Sequence, residues 1–203
     1  MKKINNNKSI LFWITGLSGS GKTVIAEKIK RKITHKYGPT LTISGDDLRK
    51  IFDFNKFSKI KRQTYALSYG KFCKSIIDRN INVIFSTVSL FHKVRKWNRS
   101  NIINYIEIYI QSDIDKIINL KRKFIYKGKL KNIVGKNIKP EFPRSPHITI
   151  KNDFNIFDNL FIISTLGAVR LFFSISFKYE GAMPIKFANS LCPILFLILK
   201  LRI

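Results

Sequence analysis

The residues between Gly16 and Thr23 have the spacing of a loop that binds phosphate groups. They read GLSGSGKT and fit the pattern G-x-x-x-x-G-K-[ST]. Glycines let backbone N–H groups turn towards phosphate oxygens, and the following helix points its positive end at the same charge. Lys22 is expected to reach the β- and γ-phosphates, and the Thr23 hydroxyl to bind Mg²⁺. We therefore predict that a nucleoside triphosphate is bound by Gly16, Leu17, Ser18, Gly19, Ser20, Gly21, Lys22 and Thr23.

A carboxylate and an arginine follow the second apolar run, in the segment ISGDDLR at 43–49. A small-molecule kinase needs a group at this position to orient the acceptor and bind metal, and Asp46 is suited to both tasks. Arg49 lies three residues later and could clamp an anionic acceptor. The alternative is that Asp46 caps a helix while Arg49 is solvated. The residues alone leave both interpretations open.

Apolar runs alternate with helical patterns along the part of the chain that must position these side chains. Helical spacing of apolar residues occurs at 24–37 and at 65–79. Strands are predicted at 10–15, 40–43, 82–87, 105–110 and 147–150. This alternation predicts an α/β fold in three layers, with a mostly parallel sheet flanked by helices. Together with the phosphate-binding loop, it predicts the P-loop NTPase fold.

Two further segments determine the predicted domain organisation. We expect one kinase domain at 8–153, with the glycine-, proline- and lysine-rich stretch at about 124–146 as a lid. The extension at 154–203 is atypical, because its last 40 residues contain one acidic residue and show no clear period. Its apolar run at 195–199 is far shorter than the ~20 residues of a membrane span. An added helix, a membrane-surface contact, disorder and out-of-frame translation all remain open for it.

Composition limits the partners and the compartment. The chain has 38 Lys and Arg against 12 Asp and Glu, a formal charge of +26 that favours anionic partners. Abundant Lys, Asn, Ile and Phe are typical of AT-rich coding, and no lysine-rich run is interleaved with aromatic residues, so we expect no specific nucleic-acid binding. Cys73 and Cys192 form no metal-ligand spacing, which favours reduced thiols in a cytoplasmic protein.

An ordered set of short motifs resembles the adenylylsulfate kinase family. That family combines GLSGSGK[ST] with a D-G-D-[N]-[LV]-R segment, G-F-S-x-x-x-R, I-S-P-[FY]-x-x-x-R and I-E-V-[FY]-V, and its lid ends near Y-E-x-P. The resemblance covers roughly residues 10–153, and the ordered set is much more specific than the phosphate loop alone. The corresponding segments here are GLSGSGKT at 16–23, SGDDLR at 44–49, KFSKIKR at 56–62, VSLFHKVR at 88–95, IEIYI at 106–110, NIVG at 132–135 and EFP at 141–143.

The resemblance implies transfer of the γ-phosphoryl group of ATP to the ribose 3′-hydroxyl of adenylyl sulfate, a step of sulfate activation. Asp46 would lie near that hydroxyl, as a base or as an anchor for Mg²⁺. Arg49 and Arg62 would grip the phosphosulfate of the acceptor, and Phe57 would pack on its base. The family commonly forms dimers, so a homodimer is possible.

Two further positions are matched by the resemblance. Ser89 corresponds to a serine treated as an active-site or phosphorylated position, which makes it a catalytic candidate beside Lys22 and Asp46. An in-line kinase needs no phosphorylated intermediate, so two alternatives stay open for Ser89: a hydrogen bond to substrate and a hydrogen bond to local backbone. Arg95 corresponds to an arginine near the acceptor, with a surface position as the alternative.

The chain departs from the family pattern in the acceptor half. Ser44 replaces the first Asp of D-G-D, Leu90 replaces the proline after Ser89, and Asn137 stands where the lid has an Asp. Leu90 and the stretch Trp97-Asn98-Arg99 resemble a side branch that phosphorylates a cytidine diphosphoramidate for surface polysaccharides. Three hypotheses follow: a sulfonucleotide kinase, a kinase for another nucleotide, and a degenerate protein that binds ATP without catalysis.

Overall fold

The computed structural model describes residues 9–119 and 131–152, and it contains a five-stranded sheet. All four strand pairings are parallel, in the order β2-β3-β1-β4-β5. The strands are β1 (Leu11–Gly16), β2 (Thr40–Ser44), β3 (Asn82–Thr87), β4 (Tyr105–Gln111) and β5 (Ile148–Lys151). The predicted α/β fold is confirmed, and each predicted strand is present within one residue at either end.

Five helices occur in the described part of the chain, two of which the apolar spacing predicted. The helix predicted at 65–79 begins earlier, at Lys59, because the Ser58 side chain accepts a hydrogen bond from the Lys61 amide at 3.4 Å. The helices are α1 (Lys22–Tyr37), α2 (Gly45–Ile51), α3 (Lys59–Ile77), α4 (His92–Asn101) and α5 (Ile114–Asn119). The other three were not predicted; they are short, with six to ten residues each.

Helices cover both faces of the sheet, which explains why β1 and β3 are buried along their whole length. Alternate residues of a strand point to opposite faces. Trp13 stacks on Phe85 at 4.9 Å, in the cluster that includes Tyr69 of α3. On the other face, the ring of Phe12 lies 6.0 Å from that of Tyr37 of α1. The three layers place the carboxyl ends of all five parallel strands at one edge.

The segment 131–146 belongs to the stretch predicted as a lid. It forms a turn closed by a parallel bridge between Val134 and Ile138, and it reaches β5 at Ile148. Ile133, Val134 and Ile138 are buried in the core cluster, so this part is packed on the domain. Residues 124–130 of the predicted lid, the extension at 154–203 and Cys192 lie outside the described residues. Nowhere in 9–119 or 131–152 is a helix both long and apolar enough to cross a membrane.

Candidate active site

The loop between β1 and α1 is shaped by the close approach of its glycines to neighbouring groups. A Cβ added to Gly16 would lie 2.6 Å from the Ile110 carbonyl oxygen of β4. Gly21 has φ 88°, in the left-handed region, and a Cβ there would lie 2.8 Å from Asn152 Nδ2. A side chain at Gly16 would clash with backbone, and one at Gly21 would displace the Asn152 side chain and strain the left-handed conformation. The close approaches therefore explain two of the glycines in the predicted phosphate-binding motif.

Asn152 is a supporting residue of this loop that the sequence did not predict. Its side-chain amide donates to the Ser20 carbonyl at 2.9 Å, and its own backbone amide donates to the Gln111 carbonyl at 2.9 Å. The side chain is buried, and it comes from the residue directly after β5. A separation of 132 residues along the chain leaves no local pattern that could have revealed this contact.

Lys22 and Thr23 begin α1 at the end of the loop. Lys22 is buried, and its Nζ donates to the Leu17 carbonyl at 2.6 Å, which holds the ammonium inside the loop. Thr23 is exposed and lines the adjoining cavity. The first turn of α1 contains no acidic residue, so the positive end of the helix is not neutralised locally.

A cavity of about 630 Å³ extends from this loop to the starts of α2 and α3. Residues 86–89 and Phe91 also line it, as do Lys131, Ile133 and Val134. Among the described residues that line it, six are charged. Five are basic, Lys22, Arg49, Lys56, Arg62 and Lys131, and one is acidic, Asp46. This charge balance suits ligands that carry several negative charges.

Asp46, Arg49, Phe57 and Arg62 meet on the wall opposite the phosphate loop. Arg49 forms an ion pair with Asp46, and the guanidinium carbons of Arg49 and Arg62 lie 5.7 and 5.1 Å from the centre of the Phe57 ring. Arg62 Nε also donates to the Phe57 carbonyl at 3.0 Å. Burial, and then the charge of Arg49, lower the pKa of Arg62. The structure thus brings together four of the residues assigned to acceptor binding.

The start of α2 tests the interpretation of Asp46 as a helix cap. Ser44 is the N-cap: its hydroxyl accepts from the Asp47 amide at 3.2 Å, and Asp47 Oδ2 accepts from the Ser44 amide at 2.9 Å. These hydrogen bonds with Ser44 lower the pKa of Asp47. The interpretation of Asp46 as the cap is therefore wrong. Asp46 is 72% exposed and lines the cavity, and Arg49 pairs with it.

Ser89 lies in the connection between β3 and α4, where it lines the cavity beside Ser86 and Thr87. It is 2% exposed, and its hydroxyl has no hydrogen-bond partner among residues 9–119 and 131–152. A buried hydroxyl of this kind usually has a partner. The position therefore fits a hydroxyl that bonds to a ligand in the cavity.

Arg95 does not line the cavity. It is 5% exposed, its Nη2 donates to the Glu141 carbonyl, and it lies 2.6 Å from His92 Nδ1. Its Nε is 3.6 Å from the carboxylate of Glu107, which is fully buried in β4. The structure therefore places Arg95 in a buried ion pair under the wall, and not with the residues that face the acceptor side.

An aromatic pair adds to the cavity wall and was not recognised in the sequence. The rings of Phe54 and Tyr65 are stacked at 4.1 Å with an angle of 4° between their planes, and Tyr65 and Tyr69 both line the cavity. Burial raises the pKa of Tyr69, so its hydroxyl stays protonated at neutral pH. The buried face of α3 includes Ala66, Tyr69, Cys73 and Ile77.

The hard oxygen donors that Mg²⁺ prefers are present on the cavity wall. The Thr23 hydroxyl and the Asp46 carboxylate both line it. In the described parts of the chain, no three His, Cys, Asp or Glu side chains are grouped to hold a metal alone. This donor set fits Mg²⁺ that takes most of its ligands from nucleotide phosphates and water, as is usual for this ion.

A parallel sheet with a G-x-x-x-x-G-K-[ST] loop at the end of its central strand, beside a cavity lined mainly by basic side chains, is the architecture of the P-loop kinases. A family model described as adenylylsulphate kinase matches residues 8–151. The chain therefore belongs to the adenylylsulfate kinase family. The family assigns it kinase activity, with ATP and Mg²⁺ as cofactors.

Similar proteins with assigned names fall into two groups. A cytidine diphosphoramidate kinase from Campylobacter jejuni is 34% identical over 143 residues, which cover 68% of this chain and 84% of that protein. An adenylyl-sulfate kinase from Thermodesulfovibrio yellowstonii is 30% identical over 161 residues, which cover 76% of this chain and 80% of that protein. The relatives therefore agree on the kinase family and differ in the acceptor.

A solved structure supports the fold. The APS kinase of Mycobacterium tuberculosis, solved in complex with AMPPNP and APS, superposes with a TM-score of 0.71. It is 20% identical in sequence, and the match covers 80% of this chain and 98% of that chain. At this identity the similarity shows the fold alone, and it is consistent with the parallel sheet described above.

Proposed function

We propose that the protein transfers the γ-phosphoryl group of ATP to the ribose 3′-hydroxyl of a nucleotide whose 5′-phosphate is linked to a second acid group. The observation that carries this proposal is that two sets of anion-binding residues line the same cavity. One set is the phosphate loop with Lys22, and the other is the pair Arg49 and Arg62 beside Phe57.

On the donor side, the backbone of residues 16–23 would hold the phosphates of ATP. Lys22 Nζ would exchange its bond to the Leu17 carbonyl for the β- and γ-phosphate oxygens. Thr23 and Asp46 would hold Mg²⁺, which neutralises charge on the phosphates. Catalysis of phosphoryl transfer is mostly positioning and charge neutralisation, so these fixed cations account for most of the expected rate enhancement.

On the acceptor side, Arg49 and Arg62 would bind the two linked acid groups, and Phe57 would pack on the nucleobase. Asp46 would accept the proton of the attacking hydroxyl or orient it, and the buried Ser89 hydroxyl would donate a hydrogen bond to substrate. Asp46 is exposed in the cavity and adjoins Arg49, which supports a role at the boundary between the two walls. Arg95 would act from beneath, through Glu141.

Cytidine diphosphoramidate is the first acceptor to test. The relative with 34% identity over 84% of its length acts on that class of nucleotide by its name. Ser44 also favours it over adenylyl sulfate: the family pattern has an Asp there, whereas here the side chain is engaged with Asp47 in the cap of α2. Adenylyl sulfate is the second candidate, supported by the family model and by the relative from Thermodesulfovibrio yellowstonii.

The test is ADP release from Mg-ATP with each acceptor in turn. The proposal expects turnover with one of the two acceptors, and the ratio of kcat/KM values identifies the preferred one. Asp46→Asn should lower kcat about 100-fold while ATP binding is retained, because positioned acid–base groups typically contribute ~10²–10⁴-fold. Asp78→Asn, an exposed acid at the end of α3, is the matched control.

The opposite result is equally clear. If the protein binds ATP but releases no ADP with either acceptor, the hypothesis of a degenerate nucleotide-binding protein is correct. If Asp46→Asn turns over normally, the role given to Asp46 is wrong.

A homodimer is proposed as the assembly. Ile51, Phe52 and Ile60, at the connection between α2 and α3, are 66%, 47% and 75% exposed, which is unusual for large apolar side chains. Light scattering coupled to size-exclusion chromatography would measure the mass, and a mass of one chain at micromolar concentration would reject the dimer.

A further inference from the structure

The N-terminus of α4 has no capping group of its own. The N-cap residue is Phe91, whose side chain has no acceptor atom, and the first turn contains no acidic residue. Helix starts leave backbone N–H groups without partners inside the helix, and these groups need acceptors. The His92 amide instead donates to Glu141 Oε2 at 2.6 Å, from a residue 49 positions later in the chain. Glu141 is therefore the cap of α4.

The other polar groups of Glu141 contact the same region around the start of α4 and the start of α3. Its second carboxylate oxygen is 3.3 Å from Nζ of Lys59, the first residue of α3. Its backbone amide donates to the Leu90 carbonyl at 2.9 Å, and its carbonyl accepts from Arg95. Burial raises the pKa of Glu141, but the bonds from His92 and Lys59 outweigh it, so the net pKa is lowered and the carboxylate is charged at neutral pH.

The segments joined at this residue all supply side chains to the cavity. Residues 86–91 supply Ser89, the start of α3 supplies Arg62, and residues 131–134 precede Glu141 on the same stretch of chain. Glu141 itself is not among the residues that line the cavity. It therefore touches neither substrate, and any influence on the reaction must pass through the segments that it joins.

We propose that Glu141 is a positioning residue for the acceptor half of the site. It fixes the Ser89 connection, the start of α3 and the segment 131–134 relative to one another. The phosphate loop has different supports, Asn152 and the packing of Gly16 on β4. Loss of Glu141 thus weakens acceptor binding and leaves ATP binding intact. This inference rests on the proposed function for its kinetic consequence.

Three variants separate the contacts of the carboxylate. Glu141→Ala removes both the cap and the ion pair. Glu141→Gln keeps an oxygen that can accept from the His92 amide but removes the charge. Lys59→Met removes only the ion pair, which should matter least because Lys59 is 51% exposed and exposed pairs contribute little. Glu27→Ala, an exposed acid on α1, is the control for loss of a charge.

The first readout is the KM for each substrate, measured with the full chain and the preferred acceptor. We expect the acceptor KM to rise about tenfold in Glu141→Ala, about threefold in Glu141→Gln and less than twofold in Lys59→Met, in line with the known cost of losing a cap. The KM for ATP should change less than twofold in all of them. Equal increases for both substrates, or unchanged KM values in a merely less stable variant, would overturn the proposal.

The second readout does not depend on turnover. Hydrogen exchange of the free protein should accelerate at 88–95 and 132–141 in Glu141→Ala and remain unchanged at 22–33 in α1, with Glu141→Gln showing a smaller increase. Uniform acceleration across the domain would mean general destabilisation and would reject the positioning role. Because this result is independent of substrate, it separates failure of the inference from failure of the proposed function.

Discussion

The two walls of the cavity are built in different ways. The donor wall is made of backbone, and its shape follows from glycines that approach Ile110 and Asn152 too closely for any side chain. The acceptor wall is made of side chains, from segments that Glu141 and Arg95 tie together through hydrogen bonds and ion pairs. A wall of backbone tolerates little change in sequence, whereas a wall of side chains can change its ligand by single substitutions. Under the proposed function, we therefore expect single substitutions to change the acceptor more readily than the donor.

The largest effect is expected on the donor wall. Lys22→Ala should lower kcat by roughly 10²–10³-fold or more, because a fixed cation facing the developing charge is lost. Steady-state ADP release measures the change. Lys28→Ala, an exposed lysine two turns along α1, is the matched control and should keep full activity. Activity within tenfold of the unmodified protein would show that the loop is not the donor site.

Among the residues beneath the acceptor wall, substitution of Glu107 should have the largest effect on the stability of the fold. Burial raises the pKa of this carboxyl, while Arg99, which donates to it at 2.7 Å, and Arg95 counter the shift. Glu107→Gln leaves the buried Arg95 without a counter-charge, so the free energy of unfolding should fall by about 3 kcal/mol. Urea denaturation measures it, with the exposed Glu27→Gln as control. An unchanged midpoint would mean that the ion pair does not stabilise the fold.

The acceptor wall itself is tested at Arg62. Arg62→Ala should raise the acceptor KM by about tenfold, because a charge-assisted contact in a partly buried site is lost. The KM for ATP should stay the same, which would contrast directly with Lys22→Ala. The neighbouring Lys61 is exposed and does not line the cavity, so Lys61→Ala serves as control. A parallel rise in the KM for ATP would contradict the division of the cavity into two independent walls.

The smallest effect concerns His147, on the segment that follows Glu141. Its Nδ1 accepts from the Glu107 amide at 2.9 Å, and burial with the charge of Arg99 lowers its pKa to about 4. An unfolded histidine titrates near 6.5, so the unfolded chain gains a proton first as the pH falls. Stability should therefore decline between pH 6.5 and 4, by less than about 1 kcal/mol because the residue is partly open to solvent.

The measurement for His147 is urea denaturation at pH 7 and pH 5. The decline should be smaller in His147→Gln, which cannot titrate. The same decline in both proteins would assign it to other groups.

The donor wall was predictable from the sequence because its motif is local. The loop consists of eight consecutive residues between a strand and a helix. The alternation of predicted strands and helices indicates the parallel sheet that carries this loop. Asp46 and Arg49 were placed for the same reason, since they lie two and five residues after the end of β2. The cap formed by Ser44 and Asp47 could also have been predicted from the sequence, because a serine followed three residues later by an acid is a capping signal.

The supports of the acceptor wall were not predictable in this way. Glu141 caps a helix 49 residues earlier, and Asn152 bonds to a carbonyl 132 residues earlier. Arg95 was expected near the acceptor, yet it lies beneath the wall because Glu107, on the adjacent strand, presents a buried carboxylate. Contacts of this range depend on the assembled sheet, so no local spacing indicates them.

The bond from Asn152 to Ser20 also has a practical meaning for the length of chain that a working kinase requires. A protein cut after Lys151 would retain all five strands and every residue of the phosphate-binding motif. It would nevertheless lose the amide that holds the loop from beyond β5. We therefore expect that a truncated protein must extend at least to Asn152, one residue past β5, to bind ATP tightly.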